Sequence, residues 1–405
     1  MPFYHRLGKI PPQRHTVFYK DDGRSLYREE LFSTRGFSGI YSNKYHIHMP
    51  TQVLKIKELQ FENSPLWTDA PLQHYHFFTE KSKSKGNFVT ARRVYLTNRY
   101  CSISTAHVTE DDGDMFYRNA GAHEYIFIHH GRGKFTSEYG HFPFQPGDQL
   151  IVPRGTTFQL LFDDFKNNKL LVVESTTPFD IPKHYRNEYG QILESAPYCE
   201  RDLKIPEGLE SRDKSGEFKL WLKNGERIFE HLLPHHPYDV IGWDGFHYPF
   251  ALNIKDYCPK VGKLHLPPPT HLCFDTAHFV LCNFVPRPFD FHPKAVPVPY
   301  FHSNIDSDEI IYYAEGNFMS RTGVQEGSVT LHPGGIPHGP QPGKIEASLG
   351  AKETNEYAVM VDTFEPLQLT TYVKDSLDEN YPHSWLTKSS EFSGTDGKDI
   401  GTTTG

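Results

Sequence analysis

Apolar residues in this chain come in short runs, each closed by a turn former. The stretch 124–131 sets Tyr125, Ile126, Phe127 and Ile128 ahead of Gly131, and 309–316 sets Ile310, Ile311 and Tyr312 ahead of Gly316. Residues 278–287 read as a buried strand ending at Arg287, and 357–364 as a further strand. Runs of this length, rich in β-branched and aromatic residues and bounded by Gly or Pro, predict strands rather than helices. Two such runs, 217–223 and 226–232, flank Asn224-Gly225, which predicts a hairpin with a type I′ turn. The 31 prolines and 31 glycines fit short strands and tight turns. The expected fold class is all-β.

One arrangement occurs twice. Glu309 is followed by six residues and then Gly316; the segment 327–338 then carries Gly327, Pro333, Gly335 and His338. Glu124 is likewise separated by six residues from Gly131, and Gly147, Pro153, Gly155 and Phe158 follow with the spacing of the second segment. The chain therefore contains an internal repeat of one barrel unit. The later copy places His302, Glu309 and His338 on two hairpins as three candidate metal ligands. Two neutral imidazoles and one carboxylate, with coordination positions left open, suit non-haem Fe(II) and oxygen chemistry. In the earlier copy Tyr117 stands where His302 stands and Phe158 where His338 stands. Those side chains pack a barrel interior and assemble no two-histidine site, so Glu124 is not expected to be a ligand. His123, His129 and His130 lie off the pattern and stay open. The pairs His46/His48 and His74/His76 lack a carboxylate at matching spacing and are read as structural.

Length, charge and cysteines narrow the rest. A chain of 405 residues holds two or three units with real cores. The formal charge of −8, without a basic patch interleaved with aromatics, speaks against nucleic acid as a partner. Five cysteines without close pairing fit a reducing compartment. The N-terminus lacks a signal-peptide core, and no apolar run has membrane-spanning length; a soluble, cytoplasmic protein is expected. The expected divisions are an N-terminal domain at 1–216 ending in a polar, Pro-rich linker, a C-terminal catalytic domain at 217–387, and a disordered Ser/Thr/Gly-rich tail at 388–405. His265 sits at the edge of the stiff segment Leu266-Pro-Pro-Pro269 and is a candidate acid/base.

The spacing of His302, Glu309, Gly316, Gly327, Pro333, Gly335 and His338 resembles the two signature motifs of the cupin superfamily. Asn304 replaces the second motif histidine. The resemblance implies a bicupin, two double-stranded β-helix (jelly-roll) barrels with a degenerate N-terminal copy and a metal-binding C-terminal copy. Further segments, at 116–119, 136–140, 240–243, 299–304, 337–340 and 377–381, make residues 90–386 similar to homogentisate 1,2-dioxygenase, as a divergent branch. That resemblance implies Fe(II) held by His302, Glu309 and His338, with His265 as general acid/base. His332, Asn304 and Arg287 would stand against the substrate, and Phe318 would replace a tyrosine that helps hold the substrate carboxylate. It also implies a small aromatic acid and O2 as reactants, maleylacetoacetate as product in tyrosine and phenylalanine catabolism, and a homo-oligomer, trimer or hexamer. Phe318 keeps a second reading in play, a cupin dioxygenase for gentisate or a related hydroquinone acid. Asp308 would restore the five-residue gap usual between the first histidine and the glutamate, but only Glu309 keeps the six-residue run to Gly316.

Overall fold

The computed structural model describes residues 2–61, 65–82 and 84–386. The all-β class holds: four main sheets carry the chain, and among the described residues the one α-helix is Lys344–Ser348. An eight-stranded sheet lies between two others, and period-two alternation along its strands shows how. On strand His123–His130, Ile126 and Ile128 share a buried cluster with Phe135 and Phe158 of a seven-stranded sheet. The intervening Tyr125 and Phe127 share another cluster with Leu281, Tyr312 and Val361 of a six-stranded sheet. Strand Asn168–Ser175 alternates likewise, Leu170 and Val172 to one side and Leu171 and Val173 to the other. A sheet covered on both faces has no polar face to display, so its strands read as continuous apolar runs.

The seven- and eight-stranded sheets form the first barrel, and the six-stranded sheet carries the second. In its order, Leu272–Asp275, Phe279–Phe284, Tyr357–Thr363, Asp308–Glu315, Ser328–His332 and Tyr75–Phe78 are neighbours. The last of these comes from far upstream: Thr330 pairs with His76 and Leu331 with Tyr75. Conversely, Gln368–Leu369 from near the C-terminus pairs with Arg92–Thr97 at the edge of the eight-stranded sheet. The barrels thus exchange edge strands, which covers edges that would otherwise stay unpaired.

The hairpin at 217–232 forms, as strands Ser215–Asn224 and Arg227–His235, and its first strand runs parallel to Met115–Asn119 in the sheet of the first barrel. Its turn differs from the expected type I′. Asn224 pairs with Arg227, so Gly225 and Glu226 are the central residues. Only Gly225 has positive φ, at 62°, whereas type I′ needs it at both centres. The tail at 388–405 lies outside the described residues. No helix among the described residues is long and apolar enough to cross a membrane.

Candidate metal centre

Three backbone features converge on one point. Strand Asp308–Glu315 pairs with Ser328–His332 so that Glu309 faces His332 directly. His302 and His338 form a bridge of their own, each N–H donating to the other's carbonyl at 2.9 Å. Pro333 and Gly335, the latter at φ 78°, turn the chain between His332 and His338. The side-chain consequence is a cluster in which one ligand atom each from His302, Glu309 and His338 lies within 4.8 Å of the others. Glu309 Oε2 is 3.7 Å from His302 Nε2, and Oε1 is 3.4 Å from His338 Nε2.

The carboxylate on this strand that faces the imidazoles is Glu309 and not its neighbour. Alternation sends Asp308 the other way, where it accepts the N–H groups of Gly334 and Leu367, both at 2.7 Å. Burial would raise the pKa of Glu309, but His302, His332 and His338 around it hold it well below the usual carboxylate range. His302, with Glu309 as its main partner, is raised. His338 Nε2 is buried and makes no hydrogen bond. An ionised carboxylate beside a buried, unused nitrogen lone pair is what a cation site presents without its cation. The residues present fit a divalent metal.

His332 does not line the cavity, although it was expected against the substrate. Its Nδ1 is 2.8 Å from Glu309 Oε1 and its Nε2 is 3.0 Å from the Tyr381 hydroxyl. The strand register sets it behind the carboxylate, and burial lowers its pKa to about 3. Neutral, it donates to Glu309 and accepts from Tyr381, so it orients the carboxylate. Asn304 is also outside the cavity lining; its carbonyl accepts from Gly335 N–H at 2.6 Å. Its place is the turn, not the pocket.

A cavity of about 140 Å³ opens on His302 and Glu309. Alternate residues along two strands line it: Glu309, Ile311 and Tyr313 on one, Ala358 and Met360 on the other, with Glu356 just ahead of the second strand. His265, Arg287 and Phe318 line it too. His265 Nε2 is buried without a hydrogen-bond partner, and its ring stands 5.0 Å from that of Tyr300. Phe318 packs its ring 4.6 Å from Tyr313. Arg287 lies 3.7 Å from Glu356.

Several residues near the centre had no signal in the motif. His74, read as structural, has its ring 5.3 Å from His332 and 5.9 Å from His338, with Nε2 3.1 Å from the Pro337 carbonyl. Arg321 and Trp385 close the same corner, Trp385 donating to Gly339 O at 3.1 Å. His76 pairs with Asp378 at 2.9 Å, while His46 bridges Asp239 and Glu30 far from the centre, as a structural histidine does. The one clue to His74 was its alternation with His76 on what proves to be an exchanged strand.

A second grouping, His129, His130 and Glu326, also brings three donors within 4.8 Å of each other. A β-bulge at His129 turns both imidazoles to one side. Hydrogen bonds account for it: His129 Nδ1 is 2.6 Å from the Tyr312 hydroxyl and Nε2 is 2.8 Å from the Ala314 carbonyl. Nε2 facing a carbonyl carries the proton, so this ring ties the barrels together and offers no lone pair to a metal.

Fold and centre define a two-barrel cupin whose later barrel gathers a His/Glu/His group that could hold a metal ion. The family model described as homogentisate 1,2-dioxygenase N-terminal matches residues 76–254. A provisionally named dioxygenase of Saccharolobus solfataricus is 44% identical, over 96% of this chain and 100% of its own length. A homogentisate 1,2-dioxygenase of Bradyrhizobium diazoefficiens is 26% identical, over 94% of this chain and 89% of its own. Among solved structures, a cupin barrel protein of Leptotrichia buccalis covers 72% of the chain at a TM-score of 0.30. The chain belongs to the homogentisate dioxygenase family, and it is a dioxygenase.

Proposed function

We propose that this protein cleaves the ring of homogentisate with O2, giving maleylacetoacetate, with Fe(II) held by His302, Glu309 and His338. The observation that carries the proposal is the convergence of those three donors, two of which, His302 and Glu309, line a cavity with room for one aromatic ring. A cavity of about 150 Å³ is known to take up benzene, and this one is about 140 Å³. When bound, the iron would supply the electron transfer that lets a singlet diol react with triplet O2, a pair whose direct reaction in solution is spin-forbidden.

The chain's own groups do the rest. Ile311, Ala358, Met360 and Phe318 form an apolar wall for the ring and exclude water. The uncommitted Nε2 of His265 accepts the proton of a ring hydroxyl and returns it after ring opening, and the stiff prolines after it keep it in place. His332, fixed between Glu309 and Tyr381, keeps the carboxylate aimed. Both oxygen atoms of O2 end in the product, so no external reductant enters the balance. Phe318 favours one alternative, a related hydroquinone acid such as gentisate, because it lacks the hydroxyl that the family resemblance puts at the carboxylate. Oxygen uptake by Fe(II)-loaded protein with homogentisate and then gentisate separates the two. One O2 consumed per homogentisate, with absorbance of the opened-ring product, supports the proposal; uptake with gentisate alone overturns it.

A further inference from the structure

Arg321 lines the same cavity as Glu309 and Phe318 and is 7% exposed. Its fixed contacts are all to uncharged groups. Nη1 donates to the Gly339 carbonyl at 2.5 Å and to the Ser320 carbonyl at 3.3 Å, the guanidinium also hydrogen-bonds the Tyr381 hydroxyl, and it lies 5.7 Å from the Trp385 ring. Nε is buried without a partner. Among the described residues no carboxylate lies within ion-pair distance of it. The other arginines of interest are not placed this way. Arg92 in the first barrel is held by Glu124 at 2.7 Å and Glu174 at 2.9 Å, and Arg287 in this cavity faces Glu356.

A buried cation without an anion is costly, and proteins keep one where a ligand supplies the missing charge. The carboxylate that acts on Arg321 electrostatically is Glu309, which is already shared by three histidines and, with metal bound, would be committed to it. The guanidinium is also held still before any ligand arrives, so little entropy is lost on binding. Gly339, which it grips, directly follows His338. The cation is therefore fixed beside the metal centre, in the cavity that Phe318 also lines.

We propose that Arg321 is the specificity-determining residue that receives the carboxylate of the substrate, in place of a tyrosine hydroxyl at position 318. This rests on the reading of the site as one for hydroquinone acids, and it names the group that selects the acid over an uncharged hydroquinone. A planar guanidinium pairs with a carboxylate through two parallel hydrogen bonds, which lysine cannot reproduce.

Calorimetric titration without oxygen tests this independently of turnover. Fe(II)-loaded and iron-free wild-type protein, Arg321→Met and Arg321→Lys are each titrated with 2,5-dihydroxyphenylacetate and with its methyl ester. Iron content and thermal midpoint are read on the same samples. Wild type is expected to prefer the acid. Arg321→Met should lose about 100-fold in affinity for the acid, keep the ester within a few-fold, and retain iron. Arg321→Lys should fall between. An equal loss for acid and ester in Arg321→Met would mean that Arg321 supports the His338 segment instead, and would overturn the proposal. So would a wild type without preference for the acid. Oxygen uptake on the wild type reports separately on the ring-cleavage reading: absent uptake with a preserved Arg321-dependent acid preference overturns the reaction and leaves the anchor standing.

Discussion

The two barrels answer the same problem with different cations. In each, a glutamate is the second residue of a central strand and is separated by six residues from a glycine: Glu124 on His123–His130, Glu309 on Asp308–Glu315. Each faces a second acid across the neighbouring strand, Glu174 opposite Glu124 and Asp362 opposite Glu309. In the first barrel Arg92 Nη1 bridges Glu124 and Glu174, Asn119 donates to both at 3.0 Å, and Tyr117 donates to Glu124 at 2.9 Å. Phe158 fills the remaining space with its ring 5.3 Å from Tyr117. Among the described residues, the later barrel has no such guanidinium between its acids. Imidazoles surround Glu309, and Asp362 keeps an oxygen buried without a partner, its pKa pushed up to about 8 by burial and by Glu309. One barrel carries its cation covalently and is complete; the other is built to take one up.

The largest expected effect follows from that difference. His302→Ala or His338→Ala should remove bound iron and lower turnover by at least ~10³-fold, since two donors do not hold a labile divalent ion against water. Tyr117→Ala, at the matching place in the first barrel, should leave iron content unchanged. Metal analysis of anaerobically prepared protein gives both answers. An iron-replete, active His338→Ala protein would sink the assignment.

Arg92→Met tests the other half. Among the described residues it leaves Glu174 with Lys223, 2.6 Å away, as its one cation and Glu124 with none, and breaking a buried ion network from one side costs about 3–5 kcal/mol. Urea denaturation should show that loss, with turnover per folded molecule little changed. Introducing His at 117 and 158 should create no iron site while Arg92 remains, because the guanidinium already occupies the place of the cation.

His129 ties the barrels together, and its titration sets a pH limit. Burial first, then His130 and Lys169, lower its pKa to about 3. The unfolded imidazole titrates at 6.5, so below that pH the unfolded state binds more protons than the folded state. Stability present above pH 6.5 is therefore lost as the pH falls toward 3, by about 2 kcal/mol at pH 5 for one such group. His123 and His247, also lowered to about 3 chiefly by burial, add to the effect. Thermal midpoints of wild type should drop between pH 7 and pH 5, and those of His129→Gln should drop less steeply.

How far the sequence revealed all this depended on whether partners were close along the chain. The strands, the repeat, and the grouping of His302, Glu309 and His338 were legible because turn residues at short range set the register. Glu309 could be told from Asp308 by the run to Gly316 alone. What stayed hidden was set by contacts between distant segments. Strand Tyr75–Phe78 joins the later barrel's sheet and brings His74 to the centre from more than two hundred residues upstream. Arg92 meets Glu124 only because their strands lie in one sheet, and nothing near Arg92 in sequence announces it. His332 carried a substrate-side expectation by resemblance, and only the strand register puts it behind Glu309. Arg321 sits in an irregular segment with no periodicity to read.

The smallest expected effect concerns Phe318, and it sharpens how the later barrel selects its ligand. Its ring lines the cavity beside Tyr313 and shares that wall with Arg321. Phe318→Tyr adds one hydroxyl where the family resemblance expects one. A single hydrogen bond contributes about 0.5–1.5 kcal/mol, so the KM for homogentisate should fall by about two- to tenfold with kcat unchanged. The same substitution in an Arg321→Met background should have a larger effect than in wild type, because there the hydroxyl no longer shares the carboxylate with a guanidinium. Equal gains in the two backgrounds would show that the two side chains address different groups of the substrate, and the carboxylate would then have to be sought at Arg287.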